Sequence, residues 1–266
     1  MDKSDQKSEW ASGDAYEPYV GRWGRLIAVQ FVPWLKVSKH VRWLDVGCGT
    51  GALSQTILDI AVPSLVQGID PSEDYVNYAS KQVTDRRVRF EVGDARSLPY
   101  QTSLFDAVVS GLALNFVPEP AAALSEMVRV TRIGGTVALY VWDYSGEMQL
   151  MRYFWNAAVT LDPAAKQLDE GRRFPICHRM ALLQLFQDAG LRDIEALSID
   201  APTRFRSFDD YWVPFLGGQG PAPSYAMSLS EDHRKELRDL IRARLPIKSD
   251  GGIDLIARAW AVRGER

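Results

Sequence analysis

The sequence is short of cysteine, histidine and long apolar runs, and each shortage excludes something. Two cysteines, Cys48 and Cys177, cannot build a disulfide framework. With only three histidines, no Cys/His cluster has zinc-site spacing, and no metal is expected. No stretch approaches the roughly 18 apolar residues of a membrane span. Residues 1–9 are polar and charged, unlike a secretory signal. A soluble, cytoplasmic protein without a membrane partner is therefore expected. Excess positive charge is missing too: 31 Lys and Arg against 34 Asp and Glu leave −3, which gives no sign of a nucleic-acid partner. The mild basic cluster Arg234, Lys235, Arg238, Arg242 and Arg244 recurs at helical spacing among Glu236 and Asp239, as on a solvated helix face.

What is present is an ordinary globular composition, 46% hydrophobic and 24% charged, in a chain long enough to bury a core without a metal or disulfide. Apolar spacing predicts a helix over 22–35. From residue 41 strands and helices alternate. Strands are expected over 41–46, 65–69, 88–92, 105–110 and 136–142. Helices are expected over 52–60, 72–83 with Ser72 as N-cap, and 119–130, the last stopping at Gly134–Gly135. This alternation implies a parallel sheet covered on both faces. Beyond Asp143 the pattern loosens. Helices are expected over 147–161, 181–189 and 230–245, and strands over 193–199 and 253–262, the last beside the sheet with an antiparallel direction open to it. Residues 202–225 are rich in Pro, Gly and aromatics, lack any period, and are expected to close over the second substrate and decide its identity, with 216–223 a shaped or mobile loop.

The strongest local signal is Leu44-Asp45-Val46-Gly47-Cys48-Gly49-Thr50-Gly51, a strand, a glycine turn and a helix N-terminus. Alone it is weak evidence. Gly47, Gly49 and Ala52 also satisfy the dinucleotide fingerprint, and Asp70, ending the second strand, suits ribose hydroxyls in either kind of enzyme. Other residues separate the two. A carboxylate at Asp45 repels a pyrophosphate but suits a cationic ligand with an ammonium group. Asp94, in Gly93-Asp94-Ala95, is placed to accept from an adenine amino group. Phe105-Asp106-Ala-Val-Val109 followed by Arg129-Val-Thr-Arg-Ile-Gly-Gly135 completes a set that a dehydrogenase has no reason to carry.

Taken in order, these motifs with Gly68-Ile-Asp-Pro-Ser72 resemble the core of the class I S-adenosylmethionine-dependent methyltransferases over residues 41–142, close to the ubiquinone/menaquinone-type group. The resemblance implies an α/β fold, a Rossmann-like doubly wound, mostly parallel sheet with a helical and loop cap. It implies a lid plus cofactor-binding core over 1–143, a cap with acceptor-binding insertions and part of the core over 144–250, and a terminal core strand over 251–266. It also implies roles. Gly47, Cys48 and Gly49 pass under the methionine part of the cofactor, and Asp45 orients its amino group. Asp70 holds the ribose, with Pro71 and Ser72 flanking the adenine. Asp94 and the backbone of Ala95 read the adenine edge, and Ser110, Gly111 and Leu112 line the sulfonium side. Tyr16-Glu-Pro-Tyr19-Val-Gly-Arg22-Trp23 resembles the N-terminal lid of related enzymes, where Tyr19 and Arg22 would reach the cofactor carboxylate. Asp106 reads as organising the start of its strand.

Methyl transfer from a sulfonium needs a base only when the acceptor must lose a proton. Many relatives carry histidines after the fourth strand. This chain has Leu112-Ala-Leu-Asn115-Phe116, and Asn115 can hydrogen-bond but not take a proton. The weak catalytic candidates are therefore His178, Asp143 and Asn115, against a structural reading for each. Cys177 reads as a buried small side chain. The aromatic set Trp142, Tyr144, Trp155, Tyr211, Trp212 and Phe215 supplies candidates for touching the acceptor, although such stripes are more often core. The expected activity is methyl transfer to a small-molecule acceptor. A nicotinamide-dependent oxidoreductase and a non-catalytic cofactor-binding protein on the same scaffold are the alternatives.

Overall fold

The computed structural model describes residues 22–217 and 220–266. Helix α1 (Arg22–Trp34) precedes β1 (Arg42–Val46), whose last four residues are all buried. Then follow α2 (Ala52–Ile60), β2 (Leu65–Asp70), α3 (Glu73–Gln82), β3 (Val88–Val92) and β4 (Phe105–Gly111). Ser72 caps α3, its hydroxyl accepting the N–H of Tyr75. Next come α4 (Pro120–Val130), β5 (Thr131–Trp142), α5 (Gln149–Leu161), the single-turn α6 (Glu170–Arg173), α7 (Arg179–Asp188) and β6 (Arg192–Phe205). The last elements are α8 (Phe208–Trp212), α9 (Pro221–Ser228), α10 (Glu231–Arg244) and β7 (Ile253–Glu265).

The strands form one seven-stranded sheet in the order β3-β2-β1-β4-β5-β7-β6. β1 lies parallel to β2 and β4, and β4 parallel to β5, while β7 runs antiparallel to β5 with Tyr140 opposite Ala261. The expected doubly wound sheet is present. Its strand order reverses at β1/β4, the switch point outside whose carboxyl ends open α/β sheets bind ligands. Buried Leu44, Ile57, Val108, Val109, Val137 and Leu139 fill the core around these strands.

Two expected boundaries move. α4 ends at Val130, as expected, but β5 begins at once at Thr131 and not at Thr136, so Gly134–Gly135 lie within the strand and do not stop the helix. The glycines sit in an irregularity of the β4/β5 pairing, where a Cβ on Gly135 would lie 2.8 Å from the carbonyl oxygen of Asp106. β6 runs on past Ile199 to Phe205.

By internal contacts the chain falls into two units. One comprises Gly24–Trp142, Ile176–Ile199 and Ala259–Arg266; the other comprises, among the described residues, Asp143–Pro175 and Asp200–Arg258 with Trp23. The second unit overturns the expectation of an irregular loop over 202–225. Apart from residues 218–219, which lie outside the description, that stretch is the end of β6, then α8, a 3₁₀ turn (Val213–Gly217) and α9. Its aromatics form a core. Phe154 and Phe215 stack at 4.6 Å, Tyr211 lies 5.5 Å from Phe215, and Phe208 stacks with Trp212 at 6.4 Å. Tyr211 and Phe215 are fully buried, and the Tyr211 hydroxyl donates to the Leu150 carbonyl at 2.8 Å.

Tyr211, Trp212 and Phe215 therefore pack within the second unit. Tyr211→Phe is expected to lower unfolding free energy by about 1–3 kcal/mol, the usual result of stranding a buried hydrogen-bond partner. Denaturant unfolding measures it; unchanged stability with impaired turnover would return Tyr211 to the acceptor pocket.

Candidate cofactor and acceptor sites

The glycine loop leaves β1 and is held by the end of β2. The N–H groups of Gly47 and Cys48 donate to the Ile69 carbonyl at 2.8 and 3.1 Å, and that of Gly49 donates to Asp70 Oδ2 at 3.0 Å. Two glycines serve different ends. Gly47 has φ +74°, and a Cβ there would overlap the Cβ of Ala113, so its bareness lets the segment after β4 close onto the loop. Gly49 has φ +50°, and a Cβ there would meet nothing within 4 Å. The loop thus faces open space beside Gly49.

Asp45 is wholly buried on β1. Its Oδ2 accepts from Ser54 Oγ, on α2, at 2.8 Å, and its Oδ1 has no partner. Burial pushes its pKa up to about 7, the Ser54 hydrogen bond opposes, and the neighbouring Asp70 carboxylate adds to the rise. Asp70 is also buried. It accepts from the Ser72 N–H at 2.9 Å as well as from Gly49, and burial raises its pKa against the pull of those two donors. Two acids in one place, neither with a basic side chain lowering its pKa, favour a cationic ligand.

Three more groups lie where β4 ends. Ser110 Oγ and Asn115 Nδ2 are buried and unpartnered. Between them Leu112 sits at φ +59°, its N–H donating to the Tyr140 carbonyl at 2.8 Å. A leucine held in the left-handed region is strained, and such strain collects at functional sites. After β3, Asp94 is gripped by Arg96, whose Nη2 lies 2.6 Å from Oδ2 and whose backbone N–H donates to Oδ1 at 2.8 Å. The Arg96 guanidinium holds the Asp94 carboxyl below its usual range. Asp106 accepts the Arg42 N–H at 2.8 Å and pairs with Arg132, tying the start of β4 to its neighbours.

The fold thus gathers Asp45, Gly47–Gly49, Asp70–Ser72, Asp94–Ala95 and Ser110–Leu112 at the carboxyl ends of β1 to β4. Tyr19 lies outside the described residues, and so does the side chain of Arg22. The base candidates fare less well. Both oxygens of Asp143 accept backbone N–H groups, from Gly146 at 3.1 Å and Glu147 at 2.9 Å, so its carboxylate folds a turn. His178 is exposed at the N-cap position of α7, and Cys177 beside it is buried. Trp142, ending β5, is buried, and Tyr144 packs its ring 5.8 Å from Phe174. Sequence reasoning passed over Ser54 and a buried acid, Glu170. Among the described residues no group of His, Cys, Asp and Glu could hold a metal, and no helix is long and apolar enough to cross a membrane.

Comparison with known proteins fits this geometry. A family model described as "Methyltransferase domain" matches residues 44–139. The demethylmenaquinone methyltransferase of Geobacillus sp. (strain WCH70) is 31% identical over 180 residues, covering 62% of this chain and 76% of the relative. The chain belongs to the class I S-adenosylmethionine-dependent methyltransferases. The corresponding protein of Roseiflexus sp. (strain RS-1) is 38% identical over 97 residues, 36% of this methyltransferase and 41% of the relative, so that match spans about two-fifths of the relative's length. The crystal structure of a Bacillus halodurans C-125 protein described as a candidate methyltransferase superposes with a TM-score of 0.61 at 17% identity, covering 90% of this chain and 97% of that one. The methyltransferase's residues fit the methyl donor. A cationic amino acid joined to a nucleoside supplies a positive charge for Asp45 and Asp70, donors for the unpartnered Asp45 Oδ1, and bulk for the space beside Gly49.

Proposed function

We propose that the protein transfers the methyl group of S-adenosylmethionine to a small aromatic acceptor bearing a hydroxyl, of the quinol class. The observation that carries the reading is the unpartnered, buried Asp45 beside Asp70 at the carboxyl end of β1 and β2. In this reading Asp45 takes the ammonium of the donor, Asp70 the ribose hydroxyls, and Gly47, Cys48 and Gly49 present backbone to the methionine part. Pro71 and Ser72 flank the adenine, Asp94 and Ala95 meet its edge, and Ser110, Gly111 and Leu112 face the sulfonium. Tyr19 and Arg22 serve the carboxylate. Asn115 Nδ2, still without a partner, offers a hydrogen bond but no proton sink.

When bound, the donor supplies an electrophilic methyl group on a positively charged sulfur. What the chain contributes is position and exclusion of water. Asp45 would hold the donor at its amino-acid end and Asp70 at its ribose, so that the chain fixes the bound cation at two points. The quinol class is supported by the names of the relatives, which are demethylmenaquinone methyltransferases. A dinucleotide fits poorly, because an ionised Asp45 repels a pyrophosphate at the glycine loop.

Calorimetry with S-adenosylmethionine and with NAD tests the cofactor. Binding of the former at least 100-fold tighter is expected, and comparable binding would overturn the reading. Formation of S-adenosylhomocysteine in the presence of 1,4-naphthalenediol, kept reduced, tests the acceptor. Turnover with amine or thiol acceptors but not with the diol would sink the quinol class.

A further inference from the structure

The second unit carries a cleft of about 250 Å³ that methyl transfer, as derived above, does not use. It is lined by apolar Leu229, Leu237 and Tyr225 and by polar Asp162, His233 and Glu236, all of them residues of that unit. Three helix ends frame it. α5 stops at Leu161, and Asp162 turns the chain into a 3₁₀ turn (Pro163–Gln167) by accepting the Ala164 N–H at 2.9 Å. α9 stops at Ser228, and Ser230 opens α10 by accepting the His233 N–H at 3.3 Å. Two arginines of α10 pin the frame. Arg234 donates to the Ala226 and Leu229 carbonyls at 2.9 and 2.8 Å, and Arg244 donates to the Asn156 carbonyl, on α5, at 3.0 Å.

The lining residues separate by depth. Leu237 and Tyr225 are buried, and the Tyr225 ring is backed by Trp155 at 5.8 Å and Phe154 at 6.3 Å. Its hydroxyl donates to Asp162 Oδ2 at 3.4 Å, which ties α9 to the end of α5. Burial, with the Asp162 carboxylate adding, pushes the Tyr225 hydroxyl up to about 12, so it stays protonated and donates. His233 and Glu236 are exposed. They stand three residues apart on α10, hence side by side on its surface. Among the described residues neither side chain has a hydrogen-bond or ion-pair partner. The basic side chains next to them are already engaged, Arg234 with carbonyls and Lys235 with Asp239 at 2.9 Å.

These residues discriminate between ligands by charge. Two carboxylates and no Lys or Arg line the cleft, which repels an anion. Asp162, His233 and Glu236 do not form a group that could hold a metal. The volume lies below the roughly 300–1,000 Å³ of pockets for drug-sized molecules, which limits an organic ligand to about one ring.

We propose that the cleft is a binding site for a small primary amine with a flat apolar body, its ammonium held by Asp162 and Glu236 and its body laid on Tyr225, Leu229 and Leu237. An ammonium has three N–H donors, enough for both carboxylates and an accepting nitrogen of His233. The C-terminal end of α5, where Asp162 sits, is the negative end of that helix and adds to the attraction. The site is made of the second unit's residues alone, and its occupant needs no part in methyl transfer.

The test uses the full chain saturated with S-adenosylhomocysteine, so that an added amine is kept from Asp45 and Asp70. Calorimetry at pH 7.5 compares 2-phenylethylamine, a cation at that pH, with 2-phenylethanol, its uncharged counterpart, and with methylammonium, which lacks the ring. The amine should bind with a Kd below about 1 mM, and each of the other two about tenfold or more weakly. Glu236→Gln and Asp162→Asn, the second of which keeps the cap on Ala164, should each weaken the amine about tenfold and leave 2-phenylethanol unchanged. Unaltered thermal unfolding of Glu236→Gln would show that the loss is local. Equal binding of amine and alcohol, methylammonium binding as tightly as the arylamine, or a preference for the amine that survives in both variants overturns the proposal.

Discussion

Asp45→Asn should bind S-adenosylmethionine roughly 10- to 150-fold more weakly than wild type at pH 7.5, the equivalent of one lost charge-assisted hydrogen bond of about 1.5–3 kcal/mol. The pH dependence is the sharper test. The wild-type carboxyl ionises at about 7, so binding a cation below that pH must displace a proton. Affinity is expected to climb about tenfold per pH unit between pH 5.5 and 7 and then level off. In Asp45→Asn this climb should be lost. The sign for stability is opposite. A folded-state pKa raised above the ordinary value of 3.8 means that the folded protein prefers the protonated acid. That contribution is complete below about pH 4 and is lost as pH rises through 7, amounting to roughly 4 kcal/mol at most. The unliganded variant should accordingly be more stable than wild type at pH 8 while binding worse. Equal pH profiles of binding in the two proteins would remove Asp45 from the ammonium.

The second large effect separates two glycines that look alike in the sequence. Gly47→Ala should cost roughly 2–5 kcal/mol, from strain at φ +74° and from overlap with Ala113, and should abolish cofactor binding by displacing the segment that carries Ser110 to Asn115. Adding Ala113→Gly should recover much of the loss, because it removes the atom struck. Gly49→Ala should cost only about 1 kcal/mol, since its Cβ enters open space, yet weaken S-adenosylmethionine binding at least tenfold. Thermal unfolding and calorimetry on the three variants decide it. If Gly49→Ala bound normally, the space beside it would not be the cofactor's.

How much of this was legible depended on whether the signal was local. β1, the glycine turn and α2 are contiguous, and their pattern needs no partner to be read. The same holds for Ser72 as a cap. Residues 202–225 defeated the reading because α8 has five residues and the 3₁₀ turn beside it five more, too few to show a helical period. Their prolines and glycines read as loop signals, whereas Pro221 begins α9. Gly134–Gly135 looked like a helix terminus and instead serves an irregular strand pairing, which depends on β4 lying alongside. Glu170 was overlooked for a related reason. In Asp169-Glu170-Gly-Arg-Arg173 it looks like one charge in a solvated run, and only the packing of α5 and of Ser145 against Gly171 buries it. A glycine placed directly after an acid was the one available hint.

The position of β7 bears on how the protein is made. It lies between β5 and β6 although it follows both in the chain, and Thr136 finds Glu265 as its partner. During synthesis β5 therefore emerges long before the strand that will cover its open side. Until then it offers unpaired amide and carbonyl groups on Val137, Leu139 and Val141, apolar residues at the middle of the eventual core. A nascent chain stalled before residue 253 would carry a sheet open on that flank, prone to pairing with another such chain. Sheet closure is in this sense deferred until Ile253–Glu265 has been made, and ribosome-bound intermediates, not the finished fold, are where aggregation should concentrate.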